Sequence, residues 1–445
     1  MSAIAENLPG GWKYAFSLVS REHVLSLADQ AIVSVTGFLT TLLIARWSGS
    51  TQLGFYALGL SLLLSLVAFQ ESLILQPYLI QRFYPEGTAA ERAGASLTLS
   101  ILFSLGSILV LTVAAVGFLV WRAGAELVVT IWAIAGIVPF ALTRDFARRF
   151  AFAHLDTSRV LFLDLAVAII QLSALGWLGA SGRMSATSAC AALGAACAFP
   201  TAIWLYYARA EFTIHVRNVQ VVLKQTWVLG KWLLVGRITS QVQGYVVYWL
   251  AAADGGVAVT GVYAACMSIV GLANPLMIGL ANVLMPKLVL AWKHGGGPRL
   301  WHEAIRNTAL IAAVMTAFDL AVFLGGEHVM RFLYHGKEFE GHGQTLIVLA
   351  LAMSSGTLGE APSIALAAME RPRPIIMVTA VEAVLTVALV WILMTKWGLL
   401  GAAYGMLVGN VTGTVGRWIA FVLVPKVYDA APRPHRAPAF FHSIA

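Results

Sequence analysis

The sequence predicts an all-α polytopic membrane protein of about twelve spanning helices in two six-helix bundles, and three observations carry that prediction. Of its 445 residues 59% are hydrophobic and only 11% charged, with a mean hydropathy of +0.80, whereas about a quarter of a soluble domain is charged. Apolar runs of about twenty residues, the length that crosses a bilayer as a helix, recur from end to end. The stretch from Ser26 to Pro77 also returns later in part. Gly244 matches Gly37, Gly261-Val262-Tyr263-Ala264 matches Gly54-Phe55-Tyr56-Ala57, and Leu284-Met285-Pro286 matches Leu75-Gln76-Pro77 after a slip of two.

Taken in order, the first hairpin is Val24 to Ala45 and Phe55 to Leu75, separated by Arg46-Trp47-Ser48-Gly49. Ala93 to Val120 and Leu127 to Leu142 follow, then Val160 to Leu178 after the polar turn at Asp156 and Arg159, then Ala186 to Tyr207. The second half comprises Trp227 to Leu250, Val259 to Leu284, Ala304 to Leu324, Gln344 to Met369, Ile375 to Leu393 and Leu399 to Val424. These runs are too long, and too evenly apolar, for barrel strands, which need about ten residues and alternate in polarity. Asp156 and Arg159 have counterparts in Glu370 and Arg373, so the second part of each half repeats as well.

Lys and Arg set the orientation. Apart from Arg237, which falls within a helix, only Arg46, Arg122, Arg183, Arg331, Lys337 and Lys396 lie opposite the side holding both termini. That bias places both termini in the cytoplasm and agrees with an even number of spans. Two halves entering the membrane the same way round are related by an axis along its normal. The expected division is an N-terminal lobe over 1–208, a basic cytoplasmic linker over 209–224 suited to anionic headgroups, and a C-terminal lobe over 225–445. Residues Met1 to Arg21 have no apolar core and no small-residue cleavage site, so the first span is expected to direct insertion. Trp12 to Phe16, with Lys13, reads as an interfacial anchor or a free tail. Cys190, Cys197 and Cys266 sit in apolar helices and are expected to be free.

The short loops leave little room for a soluble catalytic domain. There is no Walker A loop, no His-Glu-x-x-His and no Asp-x-Asp, so the expectation is a protein that is not an enzyme and needs no cofactor or metal. A membrane-embedded glycosyltransferase is the poorest of the readings considered. A fixed-offset repeat of helical hairpins is instead the pattern of transporters, and no nucleic-acid partner is expected.

Arg237 is the most informative residue, because an Arg at the centre of a spanning helix costs about 2.5 to 3.5 kcal/mol on insertion scales. It either faces a cavity or snorkels to the cytoplasmic surface. Asp29, Gln30, Gln70 and Glu71 lie at similar depth in the first two helices, and Glu360 in the tenth. Together they predict a polar lining at the cytoplasmic end of the cleft between bundles. Arg237 would be an anion ligand there, and Asp29, Glu71 and Glu360 ion-coupling or cavity carboxylates. Alternatively Asp29 or Glu71 caps a helix or pairs locally with Arg21 or Arg82. Asp319 and Glu382 are further candidates, while Asp164 and Arg417 read as interfacial or snorkelling. His328, His335 and His342, seven apart, invite a metal reading, but Gly336 and Gly341 favour a solvated loop.

Several stretches resemble one family. Leu27-Ala28-Asp29-Gln30, Leu43-Ile44-Ala45-Arg46-Trp47-Ser48-Gly49 and Gly54-Phe55-Tyr56-Ala57 resemble the opening of the polysaccharide transporters, the Wzx-type oligosaccharide flippases. Phe332 to Phe339 is similar to the loop before their tenth helix, and Glu370-Arg371-Pro372-Arg373 with Lys396-Trp397-Gly398-Leu399-Leu400-Gly401-Ala402-Ala403 to the pattern around their eleventh. The resemblance implies a V-shaped pair of bundles in a bacterial cytoplasmic membrane that moves a polyprenyl-pyrophosphate-linked oligosaccharide to the outer leaflet by alternating access. It implies substrate contacts at Arg237, Arg46, Gln30 and Gln70, with membrane lipids, a glycan polymerase and other assembly proteins as partners. The cavity candidates include more acids than bases, so a cation-coupled multidrug exporter of the same superfamily is the alternative.

Overall fold

The computed structural model describes residues 10–81, 88–121, 124–214, 216–334 and 336–428. Within these, the side chains of 10–24, 81, 216–218, 276, 278–283, 286, 337 and 424–428 are not described. Arg82, Arg122, His335 and the segments 1–9 and 429–445 therefore lie outside the described residues, as do the side chains of Trp12, Lys13 and Arg21. Among the described residues there is no strand.

Each of the twelve expected segments is helical. The first long helix, Gly10–Gln70, is two helices joined at Gly49, giving α1 (10–48) and α2 (50–81), the latter passing through a π-helical turn at Glu71–Leu75. Next come α3 (Ala89–Val120), α4 (Ala125–Ala153), α5 (Thr157–Ala180) and α6 (Ala186–Ala208). The second half holds α7 (Val216–Gly255), then α8 (257–295) with a 3-10 turn at Gly271–Ala273, and α9 (297–333) beyond a kink at Gly296. It ends with α10 (343–368), broken at 358–359, then α11 (372–396) and α12 (399–428), which meet at Gly398. Among the described residues, eight stretches are long and apolar enough to cross a membrane by length and composition; α7 is not among them, and the first part of α8 is a shorter apolar helix.

Local chemistry explains several boundaries. Thr88 and Glu91 form a reciprocal capping box at the start of α3, and Ser185 with Ser188 does so at α6, each satisfying two otherwise orphaned N–H groups. Asp156 accepts from the Arg159 amide at 3.1 Å to cap α5. The turns repeat between halves. Gly49 at φ 79° and Gly256 at φ 85° occupy equivalent places in the α1–α2 and α7–α8 hairpins, a left-handed conformation that costs glycine nothing. Leu155 and Glu370 hold φ of 58° and 60° in the α4–α5 and α10–α11 turns. At that turn the structural match thus runs one residue off the Asp156–Glu370 alignment read from sequence.

The linker expected over 209–224 is mostly ordered into other elements. Arg209–Glu211 is a 3-10 turn and α7 begins at Val216. Thr213 donates its amide to Ala90 at 3.0 Å, and Phe212 packs on Phe146, Phe150 and Trp204, which fastens the strap to the first bundle. All three cysteines are free and buried.

The cores reveal how the bundles meet. At the end remote from both termini a single core contains residues of both halves, including Leu53, Phe55, Ile134, Val262, Tyr263, Tyr334 and Leu399. At the other end the cores are separate: Leu75, Tyr78, Phe146 and Phe150 in one bundle, Leu288, Ile311, Leu366 and Phe421 in the other. The two lobes are thus joined at the outer end and divided at the inner one, apart from α7, which runs along the first bundle: Val222 packs with Ile74 and Leu99, Gly230 lies against Leu73, and Arg237 pairs with Glu71. The join depends on the repeat. A Cβ on Gly54 would collide with the Val257 carbonyl, and a Cβ on Gly261 with the Ser50 carbonyl, so α2 and α8 cross backbone to backbone. Gly54→Val or Gly261→Val overpacks that crossing; the expected cost is about 1–3 kcal/mol, read as a lowered melting temperature of the purified chain.

Candidate functional site

The apolar run of α4 stops at Leu142, yet the helix continues to Ala153, because Phe146 and Phe150 keep the buried periodicity. Arg144, Arg148 and Arg149, expected in a cytoplasmic loop, are therefore carried into the bundle. Arg148 reaches Asp29 of α1 at 2.5 Å and Asp164 of α5 at 2.7 Å, and Arg144 also pairs with Asp164. Both aspartates are buried. Asp164 is accordingly the centre of a buried ion network, not an interfacial residue, and Asp29 pairs with Arg148 on α4. Charges so far from water persist only when paired and hydrogen-bonded.

Glu71 opens the π-helical turn of α2. Its Oε2 forms ion pairs with Arg149 of α4 at 3.1 Å and with Arg237 of α7 at 3.3 Å, while its Oε1 accepts a hydrogen bond from Gln76 at 3.2 Å. Arg149 also lies 3.9 Å from Asp145. Arg237 thus neither snorkels away nor stands alone: it is one-third exposed and bridges the second half of the chain to the first through Glu71. Gln70 is buried, with neither amide atom hydrogen-bonded, and Gln30 is half-buried. No hydrogen bond brings either to the Arg237 pair.

The second lobe has its own network. Arg417 of α12 pairs with Glu382 of α11, and Gln243 of α7 donates to Glu382 at 3.1 Å and to Asn410 at 3.3 Å. Gly413 lets the Glu382 carboxyl lie directly against α12, where a Cβ would strike it. Arg417 is therefore a half-buried partner of the buried Glu382, correcting the expectation that it snorkels. Asp319 accepts from Ser354 at 2.8 Å. Glu360 is exposed at the start of the second part of α10, next to Gly359, against which Arg417 packs.

At the outer end Arg46, expected as a second substrate contact, instead donates to the carbonyls of Leu333 at 2.6 Å and Phe332 at 2.9 Å, the last of α9. Glu338 accepts from the Ser50 amide and hydroxyl beside it. A cation on the carboxyl end of a helix meets the negative pole of its dipole, so these contacts clasp the lobes across the shared core. Of the histidines, His328 lies within α9 and His342 precedes α10; the described residues contain no metal-binding group of His, Cys, Asp and Glu. Glu327 accepts from the amides of Gly341 and Gly343 on either side of His342. Burial holds the His342 imidazole below its ordinary value, against the opposing pull of Glu327.

No family model matches the sequence, and no curated protein does. Solved structures do match. An inward-facing multidrug resistance MATE family transporter of the MOP superfamily aligns with a TM-score of 0.67 at 16% identity, over 92% of this chain and 96% of that one. An outward-facing form of a MATE transporter matches with a TM-score of 0.67 at 13% identity over the same shares. A MOP superfamily transporter from Pyrococcus furiosus, whose reverse polarity of the binding pocket is said to suggest a different function, gives 0.66 at 13%, again over 92% and 96%. The chain thus has the two-bundle fold of MATE transporters of the MOP superfamily.

Asp164→Asn leaves two half-buried guanidinium groups short of a buried counter-charge and is expected to lower unfolding stability by about 2–4 kcal/mol, below the full cost of breaking a wholly buried pair. Arg331→Gln, at a 62% exposed side chain, should stay within about 0.5 kcal/mol in the same chemical denaturation series. Because folding depresses the His342 value, its contribution to stability is present above the ordinary histidine range and lost as pH falls through the lower folded one. His342→Gln should flatten the acid limb of a melting-temperature profile taken from neutral pH down to about 5.

Proposed function

We propose that the protein is a membrane exporter that works by alternating access, and that its cargo is a polyprenyl-pyrophosphate-linked oligosaccharide in a bacterial cytoplasmic membrane. The fold it shares with inward- and outward-facing MATE structures supports alternating access. Two bundles joined over one core and parted at the other end are the arrangement that such rocking needs. The cargo rests on one observation: the guanidinium of Arg237 comes from the second lobe, is one-third exposed, and lies at the seam beside Arg149. A planar guanidinium fork matches phosphate oxygens, which an ammonium does less well. The sugar would fill the divided inner end while the prenyl tail stays in lipid.

The alternative, a cation-coupled multidrug exporter, needs a carboxylate free to exchange its cation. Asp29, Asp164, Glu71 and Glu382 each already hold a guanidinium, which favours the anionic cargo. Glu360, exposed, and Asp319, bonded to the Ser354 hydroxyl, are the carboxylates on which the alternative rests.

In proteoliposomes carrying a lipid-linked oligosaccharide, Arg237→Ala is expected to cut translocation by about tenfold or more, the size expected of losing one charge-assisted contact. Glu360→Gln and Asp319→Asn should leave it intact. Unchanged translocation in Arg237→Ala, or drug efflux that requires a cation gradient and both carboxylates, would overturn the assignment in favour of the alternative.

A further inference from the structure

We infer that Arg149 and Arg237 together form a two-arginine diphosphate site across the lobe seam, and that Glu71 is its built-in competitor, filling the site until ligand displaces it. The inference rests on the export reading above and extends it with a second ligand residue and a displaced counter-anion.

Three features of Glu71 separate it from the other carboxylates. Its Oε2 is shared by guanidinium groups from different lobes at 3.1 and 3.3 Å, longer than the 2.7–2.9 Å typical of a tight charge-assisted contact. Arg148, by contrast, is held by Asp29 and Asp164 at 2.5 and 2.7 Å. Exposure divides the arginines the same way. The side chains of Arg149 and Arg237 are 34% and 33% exposed, and that of Arg148 only 13%. The first two are open to a ligand; the third is committed to holding the lobe together.

The third feature is the backbone. Glu71 starts the π-helical turn, where the Gln76 amide donates to the Glu71 carbonyl. Such turns are rare, and they accompany functional sites. The Gln76 side chain also donates to Oε1, so the carboxylate keeps one partner when it lets go of the arginines. A phosphoryl group offers more oxygens and more charge than the carboxylate it replaces, and can bridge both guanidinium groups where a single Oε2 does so now. Binding would then exchange an internal contact between the lobes for one made through the cargo, tying cargo occupancy to the position of α7 against α2.

The test uses the full-length chain in nanodiscs with inorganic pyrophosphate and geranylgeranyl diphosphate as probes. Glu71→Gln should bind both about tenfold more tightly than the parent, while Arg149→Gln and Arg237→Gln each bind about tenfold more weakly. In Glu71→Gln combined with Arg149→Gln most of the gain should vanish. Should Glu71→Gln melt earlier without ligand, pyrophosphate must raise its melting temperature by more than it raises the parent's. Equal or weaker binding by Glu71→Gln, an equal or smaller melting shift, or unaltered binding by Arg149→Gln overturns the inference. If pyrophosphate binding behaves as expected but lipid-linked oligosaccharide is not translocated, the site stands and the export reading falls. If translocation proceeds and pyrophosphate binding is indifferent to Glu71, the reverse holds.

Discussion

Everything in this fold hangs on one crossing of two backbones. At Gly54 and Gly261 the helices α2 and α8 approach so closely that each glycine faces the other helix's carbonyl, at Val257 and Ser50. The two contacts are copies of one another, since residues 50 and 54 of the first half are the repeat equivalents of 257 and 261 of the second. Backbones can approach in this way only where side chains are absent, which is why membrane helices place small residues at their interfaces. The crossing builds the shared outer core, brings Arg46 onto the end of α9, and leaves the inner ends of the lobes to be held by something else.

Each inner end has its own apolar core, and charge is added to it. In water an ion pair adds little to stability, but a bilayer has no water with which to solvate an unpaired group. The first lobe gathers Asp29, Asp164, Arg144 and Arg148 from three helices; the second relies on Glu382 and Arg417, with Gln243 and Asn410 as neutral supports. The scaffold is duplicated, but the charge network is not: the arginines come from α4 in one lobe and from α12 in the other. Glu71 belongs to neither network alone, because its partners lie on both sides of the seam.

The helical architecture was legible because hydropathy and helix length are set by the bilayer, and all twelve expected segments fall on helices. The glycine repeat was legible too, and it marked the backbone crossing of α2 and α8. The ionic site was only half legible. Arg237 and the carboxylates stood out as costly residues within apolar runs, yet their partners did not, since hydropathy falls at Leu142 while the helix goes on to Ala153. The spacing of Phe146 and Phe150 with Arg144 and Arg148 was the available signal. The contacts of Arg46 were not legible for a different reason: its acceptors are main-chain carbonyls nearly three hundred residues away, and no local pattern encodes those.

The Asp29 network also bears on how the chain is made. Synthesis delivers α1 first, with a carboxylate whose guanidinium partner arrives only with α4 and whose fellow acid Asp164 comes later still, on α5. Until then Asp29 lacks the Arg148 guanidinium that holds it in the finished lobe, and an unpaired charge in lipid is costly. The ion network of the N-terminal lobe is therefore complete only once the fifth helix has been synthesised.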